Sequence, residues 1–308
     1  MTGSPPILCL LGPTAVGKSA LGMELAERLG GEIVCADSAQ VYRGLEAATA
    51  KPTPGERARV PHHCLDLVGP EATFSAGDFL RAATAAVAAV QGRGRRVILG
   101  GGTGFYLRRF FKGLFAAPPR EERLRARLRA LAERRGVPFL HRFLAAHDPA
   151  LARSVGGHDR QRLVRFLEVA LLTGRPPSAL WNEPDTGADR MPVVKVGLTG
   201  PRAWLYARID ARVERFYARG LIEEVERLLA GGLDPACHAF QAIGYREAVA
   251  VLAGTLTREE AVARTQRRSR QYAKRQLTWF RKEPEVRWLD AADPAGLREA
   301  VLAFLPRS

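Results

Sequence analysis

The run Gly12, Pro13, Thr14, Ala15, Val16, Gly17, Lys18 and Ser19 limits what this chain can fold into more than any other feature, because it has the spacing G-x-x-x-x-G-K-[ST]. It directly follows the apolar, β-rich run Ile7 to Leu11 and leads into an amphipathic stretch from Ser19 to Leu29. The order strand, glycine turn, helix is what the motif needs. Its glycines let backbone N–H groups wrap a diphosphate, and the helix N-terminus adds a favourable dipole. Lys18 neutralises phosphate oxygens, and the Ser19 hydroxyl suits Mg²⁺. These eight residues are the expected diphosphate-binding set, with Ser19 the expected metal ligand.

Around this motif the N-terminal third alternates strand-like and helical runs. Ile33 to Ala36 and Cys64 to Val68 read as strands, Ala76 to Val90 as a helix and Val97 to Leu99 as a further strand. Alternation of this kind predicts a parallel sheet with helices on both faces. From Pro118 the texture changes, and Arg120 to about Gly174 is helical in pattern throughout. Arg175 to Pro192, rich in Pro, Asp and Gly, reads as a return linker. Val193 to Leu198 resumes the strands, and helices follow at Trp204 to Leu229, around Tyr245 to Leu252, and from Arg258 to Arg281. The expected fold is α/β, a P-loop NTPase-like parallel sheet flanked by helices, formed by residues 1–118 and 192–308 and interrupted by an all-helical insertion at 119–191.

The chain of 308 residues carries 47 basic and 32 acidic side chains, a net charge of +15 that favours a polyanionic partner. Residues 119–191 hold 14 Arg against 9 acidic residues. Between Arg258 and Arg287 there are ten basic and four acidic residues. On a helix Arg264, Arg267, Arg268, Gln271, Lys274, Arg275, Thr278 and Arg281 fall at three- and four-residue steps, a stripe suited to phosphates. Tyr272, Trp279 and Phe280 of the same stretch either pack into the core or offer a stacking surface. The four cysteines lack CxxC spacing, so buried thiols are expected rather than zinc or disulfides. With no apolar run of membrane length and no leader in Met1 to Pro6, a cytoplasmic location is expected.

A P-loop specifies a diphosphate but not the group transferred. An ATP-hydrolysing machine ends a buried strand with an Asp that organises Mg²⁺ and water. Here Val97 to Leu99 runs into Gly100-Gly-Gly-Thr103-Gly104 with no carboxylate. The available carboxylate is Asp37, closing the second strand in Asp37-Ser-Ala-Gln-Val-Tyr-Arg43, where strand ends form the ligand crevice. From position alone Asp37 is a metal ligand, a general base or a helix N-cap.

Several blocks, in order and over nearly the whole chain, resemble the tRNA dimethylallyltransferase family. They are Gly12 to Ser19, Asp37 to Arg43, Thr49-Ala-Lys-Pro52, Gly101-Gly-Thr-Gly-Phe-Tyr106, Gln161-Arg-Leu163, Gly244-Tyr-Arg246 and Lys274-Arg-Gln-Leu-Thr-Trp279. The resemblance implies transfer of a dimethylallyl group from dimethylallyl diphosphate to the exocyclic N6 amine of adenosine 37, beside the tRNA anticodon, with release of diphosphate. It implies Mg²⁺ as cofactor, a monomer, and Asp37, Lys18, Thr103 and Arg212 as catalytic residues, Asp37 being the base and Arg212 the partner of the donor's diphosphate. It places Asp37, Ser38, Ala39, Gln40, Thr103, Arg125, Gln161, Arg162, Leu163, Val164, Arg165, Gln241, Gly244, Tyr245, Arg246, Lys274, Arg275, Gln276, Thr278, Trp279 and Arg281 against the RNA, with the insertion on the anticodon stem-loop. The target base must leave its stack to reach Asp37. Val16 stands where the family commonly has Ser, Ser19 where it has Thr, and Gln40 where it often has an apolar residue.

Three other readings share part of this pattern. A P-loop nucleotide kinase has the same N-terminal unit, and a prenyltransferase acting on free adenine nucleotides shares Asp37 as well. A non-catalytic RNA-binding protein using the P-loop as a switch leaves Asp37 to Arg43 unexplained.

Overall fold

The computed structural model describes residues 5–112, 118, 120–181 and 191–306. Among the described residues six strands form one all-parallel sheet: β1 (Ile7–Leu11), β2 (Glu32–Cys35), β3 (His62–His63), β4 (Val97–Gly100), β5 (Val193–Thr199) and β6 (Val286–Asp290), in the spatial order β3-β2-β4-β1-β5-β6. Parallel strands need crossovers, and here helices supply them, α2 (Pro54–Arg59) lying between β2 and β3. The alternation along β1 divides the core: Leu8 and Leu10 face one apolar cluster, Ile7, Cys9 and Leu11 the other.

The first cluster takes Leu21, Met23 and Leu25 from α1 (Lys18–Leu29) and Leu205 and Ile209 from α10 (Arg202–Ala218). The second takes Phe79, Ala83 and Val87 from α3 (Ala76–Gly92) and Tyr106 and Leu107 from α4 (Gly104–Lys112). The sheet is thus covered on both faces, as a parallel sheet requires. A third cluster joins Val41, Tyr42 and Leu45 to α11 (Leu221–Ala230) and α12 (Tyr245–Leu252), and α13 (Arg258–Phe280) runs past it with Ala261 buried there and Ala273 in the first cluster.

The chain divides into two compact units, Met1–Lys112 with Arg190–Ser308, and Gly113–Asp189. The second has its own core of Leu128, Leu140, Leu144, Leu151, Leu163 and Leu167. It is built from α5 (Glu122–Arg135), α6 (Val137–His147), α7 (Pro149–Ser154), α8 (Arg160–Thr173) and α9 (Pro177–Trp181).

Four expectations need correction. Cys64 to Val68 is not a strand: pairing with β2 stops at His63, and Cys64 and Asp66 take φ of 63° and 53°. That turn delivers Asp66 to Lys51 Nζ at 2.5 Å and Arg57 Nη1 at 2.8 Å. Trp204 to Leu229 is two helices, broken at Gly220, which has φ of 84°. The segment read as a linker begins with α9, while residues 182–190 lie outside the described ones. Strand β6 was not read from sequence, because Arg287 and Asp290 interrupt its apolar pattern; its Trp288 seats where a Gly197 side chain would start, 2.6 Å away. The four cysteines are free thiols, with Cys9, Cys35 and Cys64 buried.

Candidate active site

Beyond β1 the backbone turns through Gly12 at φ 143°, where a Cβ would lie 2.6 Å from the Leu198 carbonyl oxygen. Ala15 at φ 65° and Gly17 at φ 111° complete the loop, and α1 starts at Lys18. Lys18 Nζ donates to the carbonyl oxygens of Gly12 and Pro13, both at 2.8 Å. The loop is clamped from two helices. Arg208 of α10 donates through Nε to Ala15 O at 2.8 Å, and Arg212 through Nη1 to Thr14 Oγ1 at 3.2 Å. From α13, Gln276 Oε1 accepts the Thr14 N–H at 2.8 Å.

The facing wall comes from β2 and β4, which lie side by side next to β1, so their carboxyl ends open on the same crevice. Gly101 passes so close to β2 that a Cβ would meet Ala36 O at 2.1 Å. This contact lets the Thr103 N–H reach Ala36 O at 3.1 Å. Thr103 Oγ1 accepts the Ser38 N–H at 2.9 Å and donates to Ser38 Oγ at 3.3 Å. Asp37 Oδ1 accepts the Ala39 N–H at 2.9 Å, an Asx turn, and no helix starts there, which removes the helix N-cap reading. Gly102 O receives both the Gln276 amide at 2.8 Å and the Tyr272 hydroxyl at 3.1 Å.

The electrostatics tie the two walls together. Burial, with Arg212 adding to it, lowers the Lys18 ammonium to about 7, while Asp37 pulls the other way. Burial lowers Arg212 against the same Asp37, and burial with Asp37 raises the Tyr272 hydroxyl. Asp37, Lys18, Arg212 and Tyr272 therefore share one field. Since an anion favours charged Lys18, binding a diphosphate takes up a proton above pH 7, and below pH 7 the charge is already present. The Kd of diphosphate should rise by up to about tenfold per pH unit between about 7 and 9. Titration calorimetry in buffers of different ionisation heat checks this, and Lys18→Arg should flatten the slope.

Gln40 has a role in the frame. Its Nε2 donates to Thr49 O and Ala50 O at 3.0 and 3.1 Å, fixing the Thr49 to Pro52 block. Lys51, 9% exposed, then reaches Tyr42 O at 2.7 Å and Glu46 Oε1 at 2.8 Å.

The residues expected at the RNA fall into two groups. Ser38, Gln161, Arg162, Gln241, Arg246, Lys274, Arg275, Thr278 and Arg281 are exposed, and Asp37, Ala39, Gln40, Thr103, Arg165 and Trp279 half-buried. The others are buried. Leu163 and Val164 lie in the insertion's core, and Arg125 is buried there beside Glu168, 3.8 Å away, and Glu122, 3.6 Å away. Tyr245 is buried with its hydroxyl on Glu224, Gly244 is buried against Ala48 and Leu221, and Gln276 has both ends of its amide engaged by loops. These residues hold the frame on which their exposed neighbours stand. Phe280 is core, while Trp279 packs on Gly104 with Arg108 over its ring at 4.6 Å and the exposed Phe105 at its edge. Sequence reasoning missed Arg208; its spacing of four from Arg212, one face of α10, was the available signal.

No group of three His, Cys, Asp or Glu among the described residues is arranged to hold a metal. Ser19, exposed at the first turn of α1, offers a single hydroxyl that would suit a Mg²⁺ shared with a bound diphosphate.

Residues 40–283 match the family model for IPP transferase. The chain is 48% identical over 284 residues to the tRNA dimethylallyltransferase of Geobacter metallireducens, covering 92% of each. With that of Anaeromyxobacter dehalogenans it shares 49% over 296 residues, 96% of this chain and 98% of the relative. The crystal structure of tRNA isopentenylpyrophosphate transferase from Bacillus halodurans superposes with a TM-score of 0.70 at 37% identity, covering 97% and 96%. A eukaryotic dimethylallyltransferase crystallised acting on tRNA superposes at 0.82 with 27% identity, covering 97% of this chain and 78% of that one. With a P-loop, a strand-end Asp37 and family blocks spread over both units, the chain belongs to the IPP transferase family of prenyl-transferring enzymes.

Proposed function

We propose that this enzyme transfers a dimethylallyl group from dimethylallyl diphosphate to the N6 amine of the adenosine next to the anticodon of tRNA, releasing diphosphate. The observation that carries the proposal is geometric: Gln276 ties Thr14 of the P-loop, which Arg212 also holds, to Gly102, where a Cβ would lie 3.9 Å from Asp37 Oδ2. A carboxylate on the acceptor wall and two cations on the diphosphate wall share one crevice, and this reaction needs both. As the carbon–oxygen bond breaks, charge builds on the leaving diphosphate. The P-loop amides, Lys18 and Arg212 stabilise that charge. The amine nitrogen forms the new carbon–nitrogen bond and its proton passes to Asp37. Mg²⁺ at Ser19 supplies further positive charge to the diphosphate when bound. Thr103 holds Ser38 and with it the turn that aims Asp37.

The exposed basic residues of α13 and of the insertion are the proposed RNA contacts, the insertion taking the anticodon arm. No helix among the described residues is long and apolar enough to cross a membrane, and the proposed enzyme is a cytoplasmic monomer. The test supplies labelled dimethylallyl diphosphate, ATP and Mg²⁺ with either unmodified tRNA or free AMP as acceptor. Label in the tRNA at that adenosine is expected. Label in AMP would replace the reading with a nucleotide prenyltransferase, and ATP consumption without transfer would replace it with a kinase.

A further inference from the structure

Within the P-loop, Ala15 takes a φ of 65° without being glycine, a left-handed backbone that L side chains disfavour, so its peptide has to be held by its surroundings. Arg208 supplies the hold, donating from Nε to Ala15 O at 2.8 Å. A trans peptide points its C=O and N–H in opposite directions, so a carbonyl drawn toward α10 turns the Val16 N–H back across the loop. There it meets Pro13 O at 3.4 Å, a long contact that leaves the N–H open to a stronger acceptor. Arg208 is itself held. Its guanidinium lies over the ring of Trp204, 4.9 Å from the centroid and one turn earlier on α10. Trp204 in turn seats against Gly200, where a Cβ would lie 2.9 Å from the indole. Gly200 follows β5, and Leu198 of that strand presents the carbonyl oxygen that closes on Gly12. The end of β5 therefore supports the loop twice, directly at Gly12 and through Trp204 and Arg208 at Ala15.

We propose that Trp204 and Arg208 are positioning residues of the diphosphate site, the indole fixing the guanidinium, the guanidinium fixing the Ala15 carbonyl, and the Val16 N–H being aimed thereby at a phosphate oxygen. The proposal rests on the function proposed above and deepens it by naming the side chains that shape the donor's cradle. Arg212, four residues on, acts on a different group, Thr14 Oγ1. Lysine is a poor replacement for Arg208, because an ammonium neither lies flat on a ring nor presents a fixed fork of donors.

The test measures the Kd of inorganic diphosphate with Mg²⁺ by calorimetry, without RNA, for wild type, Arg208→Ala, Arg208→Lys, Trp204→Leu, Trp204→Phe and the double variant Arg208→Ala/Trp204→Leu. Arg208→Ala should raise Kd about tenfold, the scale of one charge-assisted hydrogen bond, and Arg208→Lys should recover little of that loss. Trp204→Leu should raise Kd about fivefold, and Trp204→Phe, which keeps a ring face, should recover most of it. The double variant should match Arg208→Ala within about twofold, because the indole acts only through the guanidinium. Affinity for tRNA and the thermal unfolding midpoint should stay at their wild-type values, Arg208 being exposed and Trp204 half-buried. An unchanged Kd in Arg208→Ala overturns the proposal, and so do losses that multiply to about fiftyfold in the double variant. A diphosphate Kd that rises only together with a lowered unfolding midpoint and weakened tRNA binding overturns it as well, since the pair is then general scaffold. A shallower salt dependence of diphosphate binding in Arg208→Ala makes Arg208 a phosphate contact instead of a positioning residue. Diphosphate binding is read without an acceptor, so failure of prenyl transfer would overturn the function proposed above and leave this test intact.

Discussion

Asp37→Asn should lower kcat for prenyl transfer to tRNA by about 10²- to 10⁴-fold, the range for loss of a positioned general base. The amide is close in shape, and its oxygen can still accept the Ala39 N–H that Asp37 Oδ1 now holds at 2.9 Å, so the turn survives. What is lost is the capacity to take a proton from the amine. Affinity for diphosphate should stay level or tighten, because a negative charge has been removed beside an anion site. Steady-state kinetics with a calorimetric diphosphate titration separates the two effects. A kcat equal to wild type would exclude Asp37 as the base.

Gln276→Met should be the next most damaging change, lowering kcat/KM for the donor by about 10²-fold through misplacement of the P-loop. The wild-type amide holds Thr14 N–H on one side and Gly102 O on the other, both at 2.8 Å, spacing the P-loop from the Gly102 loop. Methionine fills similar space and satisfies neither group. A stranded Thr14 N–H should cost about 1–3 kcal/mol of unfolding free energy. Gly102 O keeps the Tyr272 hydroxyl, so the loop around Thr103 should suffer less. RNA affinity should be unchanged, since Gln276 is 5% exposed. If RNA binding instead weakens while the donor KM is kept, Gln276 is an RNA contact and not the spacer between the walls.

Much of this site was legible in the chain because its parts are local. Gly12 to Ser19 lies on one strand-to-helix turn, and Asp37 follows directly from the end of β2, so spacing alone identifies them. The doubly wound pattern then predicts that the carboxyl ends of the strands form one crevice; in the sheet β4 lies between β1 and β2. What sequence could not distinguish was which polar residues of a matching block face solvent. Lys274, Arg275, Gln276 and Thr278 occupy adjacent turns of one helix, yet Gln276 points inward to two loops from distant parts of the chain. Burial of a polar side chain is decided by partners more than 170 positions away, which no local pattern encodes. Strand β6 escaped for a related reason. It is an edge strand whose place depends on β5 and on the opening at Gly197, not on its own alternation.

In the proposed reaction donor and acceptor react directly in one crevice, so each broken donor bond makes one prenylated base. Rapid quenching of wild-type enzyme with unmodified tRNA, Mg²⁺ and labelled dimethylallyl diphosphate, measuring released diphosphate and RNA-borne label in the same samples, tests it most directly. The two should rise together in equal amounts, with all label at the adenosine beside the anticodon. Diphosphate released faster than label enters the RNA would mean that water takes the prenyl group, and the assignment of Asp37 and Thr103 to the acceptor side would fall.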